Sequence, residues 1–163
     1  MIRVFRSGFL TFNKNKYKCS FGKNGFTKNK IEGDLKTPIG NFKVLDCFYR
    51  PDRVLKPKTN LNCKKIKKNM AWCDDPKSKE YNKLVSLPFK NRYEKLFRKD
   101  QCYDILITIN HNIRPIKKNL GSAIFMHIAK KGYKRTEGCI TLKKKDILAL
   151  LKLIDKNTRI KIG

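Results

Sequence analysis

The sequence predicts a mainly β fold of the β-rich α+β class, and three observations support that prediction. Residues 103–112 and 122–129 are largely apolar on both faces, a pattern typical of strands at the centre of a sheet. Residues 2–5 and 17–21 mix β-branched and aromatic side chains with charges, which predicts a β-hairpin. An amphipathic helix is predicted near the C-terminus, where apolar residues recur at helical spacing: Ile147, Leu150, Leu151 and Ile154.

The segments between the hairpin and the central strands are predicted mainly as turns and loops. Residues 22–29 are predicted as a loop. Residues 32–40 contain two glycines and a proline, which predicts a turn leading into a strand over 41–48. On the residues alone, the role of this turn is either architectural or functional. Residues 49–69 are rich in Lys, Pro and Asn with few apolar side chains, so a long surface excursion, a candidate flap, is expected there.

Three further predictions complete the chain. Residues 91–99 carry Tyr and Phe with a Leu at helical spacing, which predicts a short surface helix. Thr141 is predicted to cap the C-terminal helix, and residues 159–162 to form the last strand. The length of 163 residues suits one packed core, so we expect a single domain over 1–163.

The charge of the chain is strongly positive. Lys and Arg number 40 against 13 Asp and Glu, a net charge of +27, which favours anionic partners such as nucleic acid, a membrane surface or an acidic polymer. However, the chain has 31 lysines, only nine arginines and 14 asparagines. This composition is the bias expected of an AT-rich genome. Phosphate recognition tends to select arginine, so no specific nucleic-acid partner is predicted.

The sequence predicts no membrane span and no signal peptide. No window of about 18 apolar residues exists, and the N-terminal residues interleave charged with apolar side chains, as a first strand does.

The cysteines give no sign of a metal or redox motif. None of the six is spaced as Cys-x-x-Cys, and a chain of this size does not depend on a disulfide framework. We expect most of them to be reduced and buried, and we predict no metal site and no cofactor. The six are Cys19, Cys47, Cys63, Cys73, Cys102 and Cys139.

The candidate site lies within residues 122–142. His127 lies in an apolar strand, where burying an imidazole is unfavourable and therefore suggests a functional role for the ring. Cys139 follows Gly138, where the chain can bend sharply. This is the pattern of a thiol nucleophile with its base. The amides of Gly138 and Cys139 would form an oxyanion hole. The hypothesis requires the strands that carry His127 and Cys139 to be adjacent.

Other interpretations of these residues stay open. A histidine in a strand is often a satisfied core residue, and a cysteine is often a small buried hydrophobe. His111, at a polar strand end, is the weaker candidate base. Trp72, beside two carboxylates, is either a substrate wall or a loop anchor. The lysines at 143–145 are predicted in the first turn of a helix, where the helix dipole disfavours cations. Three explanations stay open: they attract an anionic substrate, they lower the pKa of the thiol, or they reflect the lysine-rich composition of the chain.

Several motifs around this pair agree with one known family. His127 is followed after a spacer by Thr-Glu-Gly-Cys-Ile-Thr over 136–141, residues 33–42 read Gly-Asp-x-x-Thr-Pro-x-Gly-x-Phe, and residues 121–127 read Gly-Ser-x-Ile-x-x-His. From residue 33 to the C-terminus the chain therefore resembles the YkuD-like L,D-transpeptidase catalytic domain. The Trp-Cys-Asp-Asp-Pro of 72–76, the Tyr-Asn of 81–82 and the Thr-Glu-Gly-Cys motif resemble a branch of small proteobacterial members.

The resemblance implies a fold and a set of site residues. The fold is a YkuD-like mixed β-sandwich with a C-terminal amphipathic helix and short surface helices. Cys139 is the implied nucleophile, His127 the general base and Gly138 a backbone contributor to the oxyanion hole. The implied substrate-binding residues are Thr136, Glu137, Thr141, Trp72 and Asn112. The chain departs from the family signature at Glu137, which replaces a histidine, at Thr141, which replaces Asn or Arg, and in a shorter spacer after His127.

The resemblance also implies a reaction and a location. The implied activity is a cysteine-dependent acyl transfer on peptidoglycan stem peptides or muropeptides through a thioester. An amine would then complete transpeptidation, and water would give L,D-carboxypeptidation. The alternatives are a hydrolytic cysteine peptidase or amidase of muropeptides, and a basic protein that binds an anionic polymer. The family implies the cell envelope or periplasm, but no signal peptide is visible, so a cytoplasmic location stays open.

Overall fold

The computed structural model describes residues 1–163 and consists mainly of strands, with one α-helix. This confirms the predicted β-rich α+β class. The strands are β1 (Ile2–Phe5), β2 (Phe9–Phe12), β3 (Asn15–Ser20), β4 (Phe26–Thr27), β5 (Thr37–Pro38), β6 (Gly40–Tyr49), β7 (Cys63–Lys65), β8 (Met70–Cys73), β9 (Leu84–Ser86), β10 (Tyr93–Lys95), β11 (Ile105–Ile109), β12 (Phe125–Ile128), β13 (Ile140–Leu142) and β14 (Arg159–Ile162). The helices are a 3₁₀ turn (Lys131–Tyr133) and α1 (Lys144–Leu151).

The largest sheet has nine strands and closes on itself through one long strand. Its order is β11-β12-β13-β3-β2-β1-β14-β6-β7, and β6 also pairs with β11. The first half of β6 is antiparallel to β14, with Phe42 opposite Ile160, and its second half is antiparallel to β11, with Phe48 opposite Leu106. Because β6 takes part in both halves, the sheet wraps around a shared core.

The central strands divide two packed cores. Successive side chains of a strand point to opposite faces. Ile105 and Ile107 of β11 therefore lie in a cluster of 22 buried residues that also contains the apolar face of α1. Leu106 lies in a second cluster of ten, together with Phe125 and Cys139. Both faces of β11 and β12 are buried, as their apolar sequences predicted, and the candidate nucleophile belongs to the second cluster.

Several local predictions need correction. The predicted helix over 91–99 is wrong: these residues include β10, which is antiparallel to β8, and the Leu96 amide donates to the carbonyl of Met70. The sheet pairing overrides the helical spacing of the apolar residues. Thr141 does not cap α1, because it lies within β13, and Lys143 occupies the N-cap position without a side-chain hydrogen bond.

The N-terminal hairpin and the surface excursion also differ from their predictions. β1 pairs with β2, so the predicted partner of residues 2–5, over 17–21, lies one strand further on, where β3 pairs with β2. The excursion over 49–69 contains β7, which is parallel to β6, and Leu61 and Ile66 within it are buried. Part of this segment is therefore packed against the sheet.

All six cysteines are free thiols, and five of them are buried, which confirms the expected state. No helix of this chain combines the length and the apolar character needed to cross a lipid bilayer.

Candidate active site

The parallel pairing of β12 and β13 brings His127 and Cys139 together. Met126 is opposite Ile140 and His127 is opposite Thr141, so the two strands are adjacent, as the site hypothesis required. Cys139 directly precedes β13, two residues before Thr141, and its side chain therefore projects on the same face as that of His127. Both side chains line one cavity of about 340 Å³.

The thiol of Cys139 has two backbone partners. Its Sγ donates to the carbonyl of Ala123 at 3.1 Å and accepts from the amide of Phe125 at 3.4 Å. Burial raises the pKa of the Cys139 thiol, and the nearby carboxylate of Glu94 raises it further. The resting thiol is therefore protonated, and it needs a base before it can attack a carbonyl.

His127 has the tautomer and the protonation state of such a base. Its Nδ1 lies 3.0 Å from the carbonyl oxygen of Ile128. Because a carbonyl only accepts, Nδ1 carries the proton, and the lone pair of Nε2 is left without a partner. Burial lowers the pKa of His127 to about 4, so the ring is neutral at pH 7. It packs edge-on against Tyr103, with ring centroids 5.0 Å apart.

The lowered pKa of His127 predicts a loss of stability in acid. Above pH 6.5 the ring is neutral in both folded and unfolded chains, so it contributes nothing to the pH dependence. Between pH 6.5 and about 4, only the unfolded chain takes up the proton, so the free energy of unfolding decreases as the pH is lowered. From pH 7 to pH 5 we expect a His127→Gln protein to lose about 2 kcal/mol less than the wild type.

Denaturant unfolding of both proteins at the two pH values measures this difference. The pKa of His111 is also lowered by burial, but it affects both proteins alike and cancels in the comparison. Equal losses in the two proteins would contradict a buried neutral His127.

The turn before Cys139 is fixed by two threonine hydroxyls. Thr136 Oγ1 accepts from the amide of Gly138 at 3.1 Å and donates to the carbonyl of Cys139 at 2.6 Å. Thr37 Oγ1 donates to the carbonyl of Gly138 at 2.8 Å. A Cβ on Gly138, whose φ is +149°, would lie 2.9 Å from the carbonyl oxygen of Lys36, so the position requires glycine. The Gly138 amide is thus engaged, whereas the Cys139 amide has no acceptor and is the free donor beside the nucleophile.

Thr37 gives the turn over 32–40 a measurable role. Its side chain is fully buried, and it also accepts from the amide of Gly22 at 2.9 Å. Replacement by valine leaves that amide and the Gly138 carbonyl without partners. We expect Thr37→Val to lower the free energy of unfolding by about 3 kcal/mol, since each orphaned group costs roughly 1–3 kcal/mol.

Chemical denaturation measures the effect of Thr37→Val, with Thr59→Val as the matched control. The Thr59 hydroxyl accepts one bond, from the Leu61 amide, at a partly exposed position. A loss in Thr37→Val no larger than that of the control would show that the buried bridge contributes little.

The cavity walls carry charges of both signs that sequence reasoning missed. The carboxylates of Glu32, Asp74 and Glu94 line it, and so do cations on the other walls: Lys30, Arg98, Lys130, Lys134 and Arg135. Glu94 accepts from the Tyr103 hydroxyl at 2.6 Å and lies 3.6 Å from Arg98. These residues come from distant segments, and no local pattern marks them. No group of three or more His, Cys, Asp or Glu side chains lies close enough together to bind a metal ion.

Not all the predicted substrate residues reach this cavity. Trp72 is almost fully buried; its Nε1 donates to Asn82 Oδ1 at 2.9 Å and its ring packs edge-on against Phe125, contacts that fit the loop-anchor interpretation. Asn112 holds its own loop, donating to the carbonyls of Lys117 and Gly121. Neither of them lines the cavity, and neither do the lysines at 143–145.

Comparison with known proteins places the chain in one family. The model of the YkuD L,D-transpeptidase catalytic domain matches residues 2–162 of the chain. The chain belongs to this family. The YkuD family acts on peptidoglycan peptides and is typically associated with the cell wall. The match includes the N-terminal hairpin, which the motifs alone did not reach.

One solved structure has a similar fold at low sequence identity. The structure of Bd1075 from Bdellovibrio bacteriovorus aligns with a TM-score of 0.52 and 17% identity over 99% of this chain. The chain spans 46% of the length of Bd1075, and at this identity the likeness concerns the fold alone. Comparison with curated proteins gives no match.

The departures from the YkuD signature all lie on the cavity wall. Glu137, in place of a histidine, is exposed and makes no ion pair or side-chain hydrogen bond. Thr141, in place of Asn or Arg, is 2% exposed, and its buried Oγ1 has no hydrogen-bond partner. The short spacer after His127 folds into the 3₁₀ turn and places Lys134 beside the cavity. Substrate binding by Thr136, Glu137 and Thr141 stays a prediction.

Proposed function

We propose that this protein is an L,D-transpeptidase in which Cys139 is the nucleophile and His127 the general base, and that residues 1–163 form its single catalytic domain. One observation supports the assignment above the others. The protonated Sγ of Cys139, directly before β13, and the unpartnered Nε2 of His127, on the adjacent β12, belong to side chains that line the same cavity.

The proposed first half-reaction forms a thioester. Nε2 of His127 takes the proton from Sγ, and the thiolate attacks the carbonyl at the L-centre of the diamino acid in a stem peptide. The amide of Cys139, which is free of other acceptors, donates to the developing oxyanion. The bond from this carbonyl carbon to the nitrogen of the terminal D-amino acid breaks, and the leaving amine takes the proton from Nε2.

The proposed second half-reaction restores the thiol. The amine of another stem peptide attacks the thioester carbonyl and passes a proton to Nε2. The C–S bond then breaks, and Nε2 returns the proton to Sγ. Replacing the amine with water gives the carboxypeptidase side reaction by the same steps.

The charges of the cavity fit a peptide that carries ammonium and carboxylate groups together. Glu137 offers a carboxylate free of ion pairs, while Lys134 and Arg135 offer cations without an acidic partner. A stem peptide presents both kinds of group close to its reactive carbonyl. We therefore propose peptidoglycan stem peptides as the substrate and the cell envelope as the site of action.

An exchange assay tests this function. The protein is incubated with a stem tetrapeptide and an isotopically labelled D-amino acid, and the products are identified by mass spectrometry. We expect the label to replace the terminal residue, because exchange requires an amine to resolve the thioester. Formation of tripeptide with no labelled tetrapeptide would show that the protein is a hydrolytic peptidase. Absence of both products would contradict the proposal.

A further inference from the structure

A single buried side chain connects the loops that surround the nucleophile. Asn82 is 3% exposed, and its Oδ1 accepts from the amide of Ala123 at 3.0 Å and from Trp72 Nε1 at 2.9 Å. Its Nδ2 donates to the carbonyl of Asn112 at 2.7 Å. The amide therefore joins the end of β8, the loop after β11 and the segment that leads into β12. We call these four residues the Asn82 hub.

Ala123 is the hub residue that contacts the nucleophile. Its carbonyl accepts the S–H of Cys139, and two residues later the Phe125 amide donates to the same sulfur. The φ of Ala123 is +52°, a left-handed conformation that residues with a Cβ rarely adopt. Such a conformation persists only where surrounding contacts impose it, and the side chain of Asn82 supplies the bond to the Ala123 amide.

We propose that Asn82 is a positioning residue for Cys139, acting through the left-handed backbone of Ala123. This inference rests on the proposed function of Cys139 as the nucleophile. With Ala123 fixed, one carbonyl orients the protonated thiol and one amide stands ready to stabilise the thiolate. Asn82 itself does not line the cavity, so it has no direct contact with a substrate there.

The hub makes two measurable properties of Cys139 depend on Asn82. The first is the rate of acylation, since a displacement of about 1 Å at a reacting centre costs on the order of 10²-fold. The second is the pH profile of thiol alkylation. Phe125 is held by its pairing with Thr108 of β11, so the change is expected at the Ala123 carbonyl. That carbonyl accepts a bond from the thiol but not from the thiolate, so loss of this bond favours the thiolate and moves the alkylation profile to lower pH.

Asn82→Gly is the first variant, because glycine removes the amide yet tolerates the left-handed backbone of this position, where φ is +57°. Alkylation by iodoacetamide is followed on the tryptic peptide of residues 136–143, in which Cys139 is the sole cysteine. Acylation by a stem tetrapeptide is followed by intact mass. We expect acylation to slow about 10²-fold without a matching rise in KM, and the alkylation profile to move to lower pH.

Two control variants separate positioning from stability. Trp72→Phe removes one donor to Oδ1 but keeps the Ala123 bond, and Ile147→Val loosens the other core cluster. Both variants are expected to keep the pH profile of alkylation and to acylate at a rate within about three-fold of the wild type. This change is far smaller than the loss of about 10²-fold expected from a misplaced nucleophile. If Asn82→Gly does not fold, Asn82→Ser provides the same measurements.

An unchanged profile and acylation within three-fold in the Asn82 variants would overturn the inference, as would an equal change in Trp72→Phe. If the wild type forms no acyl-enzyme at all, the proposed function fails. The alkylation profile still decides the role of Asn82 in that case, because it needs no acyl transfer.

Discussion

A Cys139→Ser protein is expected to form no detectable acyl-enzyme, with a loss of turnover on the order of 10³-fold or more. The hydroxyl would occupy the same place against the Ala123 carbonyl. However, an alcohol is a far weaker acid than a thiol, and the pKa of His127, lowered to about 4, makes its ring a weak base. The imidazole can assist ionisation of a thiol in the presence of substrate, but it cannot generate an alkoxide.

The measurement is intact mass spectrometry after incubation with a stem tetrapeptide or a carbapenem. Cys63→Ser is the control, because Cys63 is a half-buried thiol on β7 that does not line the cavity. Cys139→Ser should unfold as cooperatively as the wild type, since the substitution nearly preserves volume. An adduct that persists in Cys139→Ser and maps to another cysteine would contradict the assignment of Cys139 as the nucleophile.

Replacement of His127 with alanine is the second change with a large expected effect. Loss of a positioned general base costs about 10²–10⁴-fold, so kcat/KM at neutral pH should fall by that factor. The residual activity should rise with pH, since burial raises the thiol pKa and the thiolate then has to form without assistance. Wild-type activity should decline only as the pH approaches 4, where the imidazole becomes protonated.

Steady-state rates of the exchange reaction from pH 4 to 9 measure both effects. His111→Ala is the matched control, because that ring contacts the Leu120 carbonyl and does not line the cavity that holds His127 and Cys139. Retained turnover of His127→Ala across neutral pH would refute its role as the base. A similar loss in His111→Ala would indicate a general effect of removing a buried imidazole.

The accuracy of the sequence predictions follows from the range of the interactions involved. Residues 103–112 and 122–129 were predicted as central strands because apolar side chains on both faces leave few other buried arrangements, and the strands found there cover 105–109 and 125–128. The helix containing Ile147 was predicted from its own periodicity. Residues 91–99 carried a similar period, yet the backbone pairs with β8 there, because the hydrogen bonds of a neighbouring strand outweigh a short local pattern.

The candidate site divides in the same way. His127, Gly138 and Cys139 were predicted as candidate site residues because a polar ring in an apolar strand and a glycine before a cysteine are local signals. The anchoring contacts of Trp72 and the role of Asn82 depend on bonds between segments 10 to 41 residues apart. Such distances leave no trace in composition or spacing.

The sequence by itself determined the β-rich class, the family and the pair of side chains suited to acyl transfer. Only the tertiary structure decided how that pair is poised. The register of β12 and β13 put both side chains on one face, and burial shifted the pKa of the thiol up and that of the imidazole down. Desolvation and hydrogen-bond partners are properties of packing, so the same residues in an open chain would have neither shift.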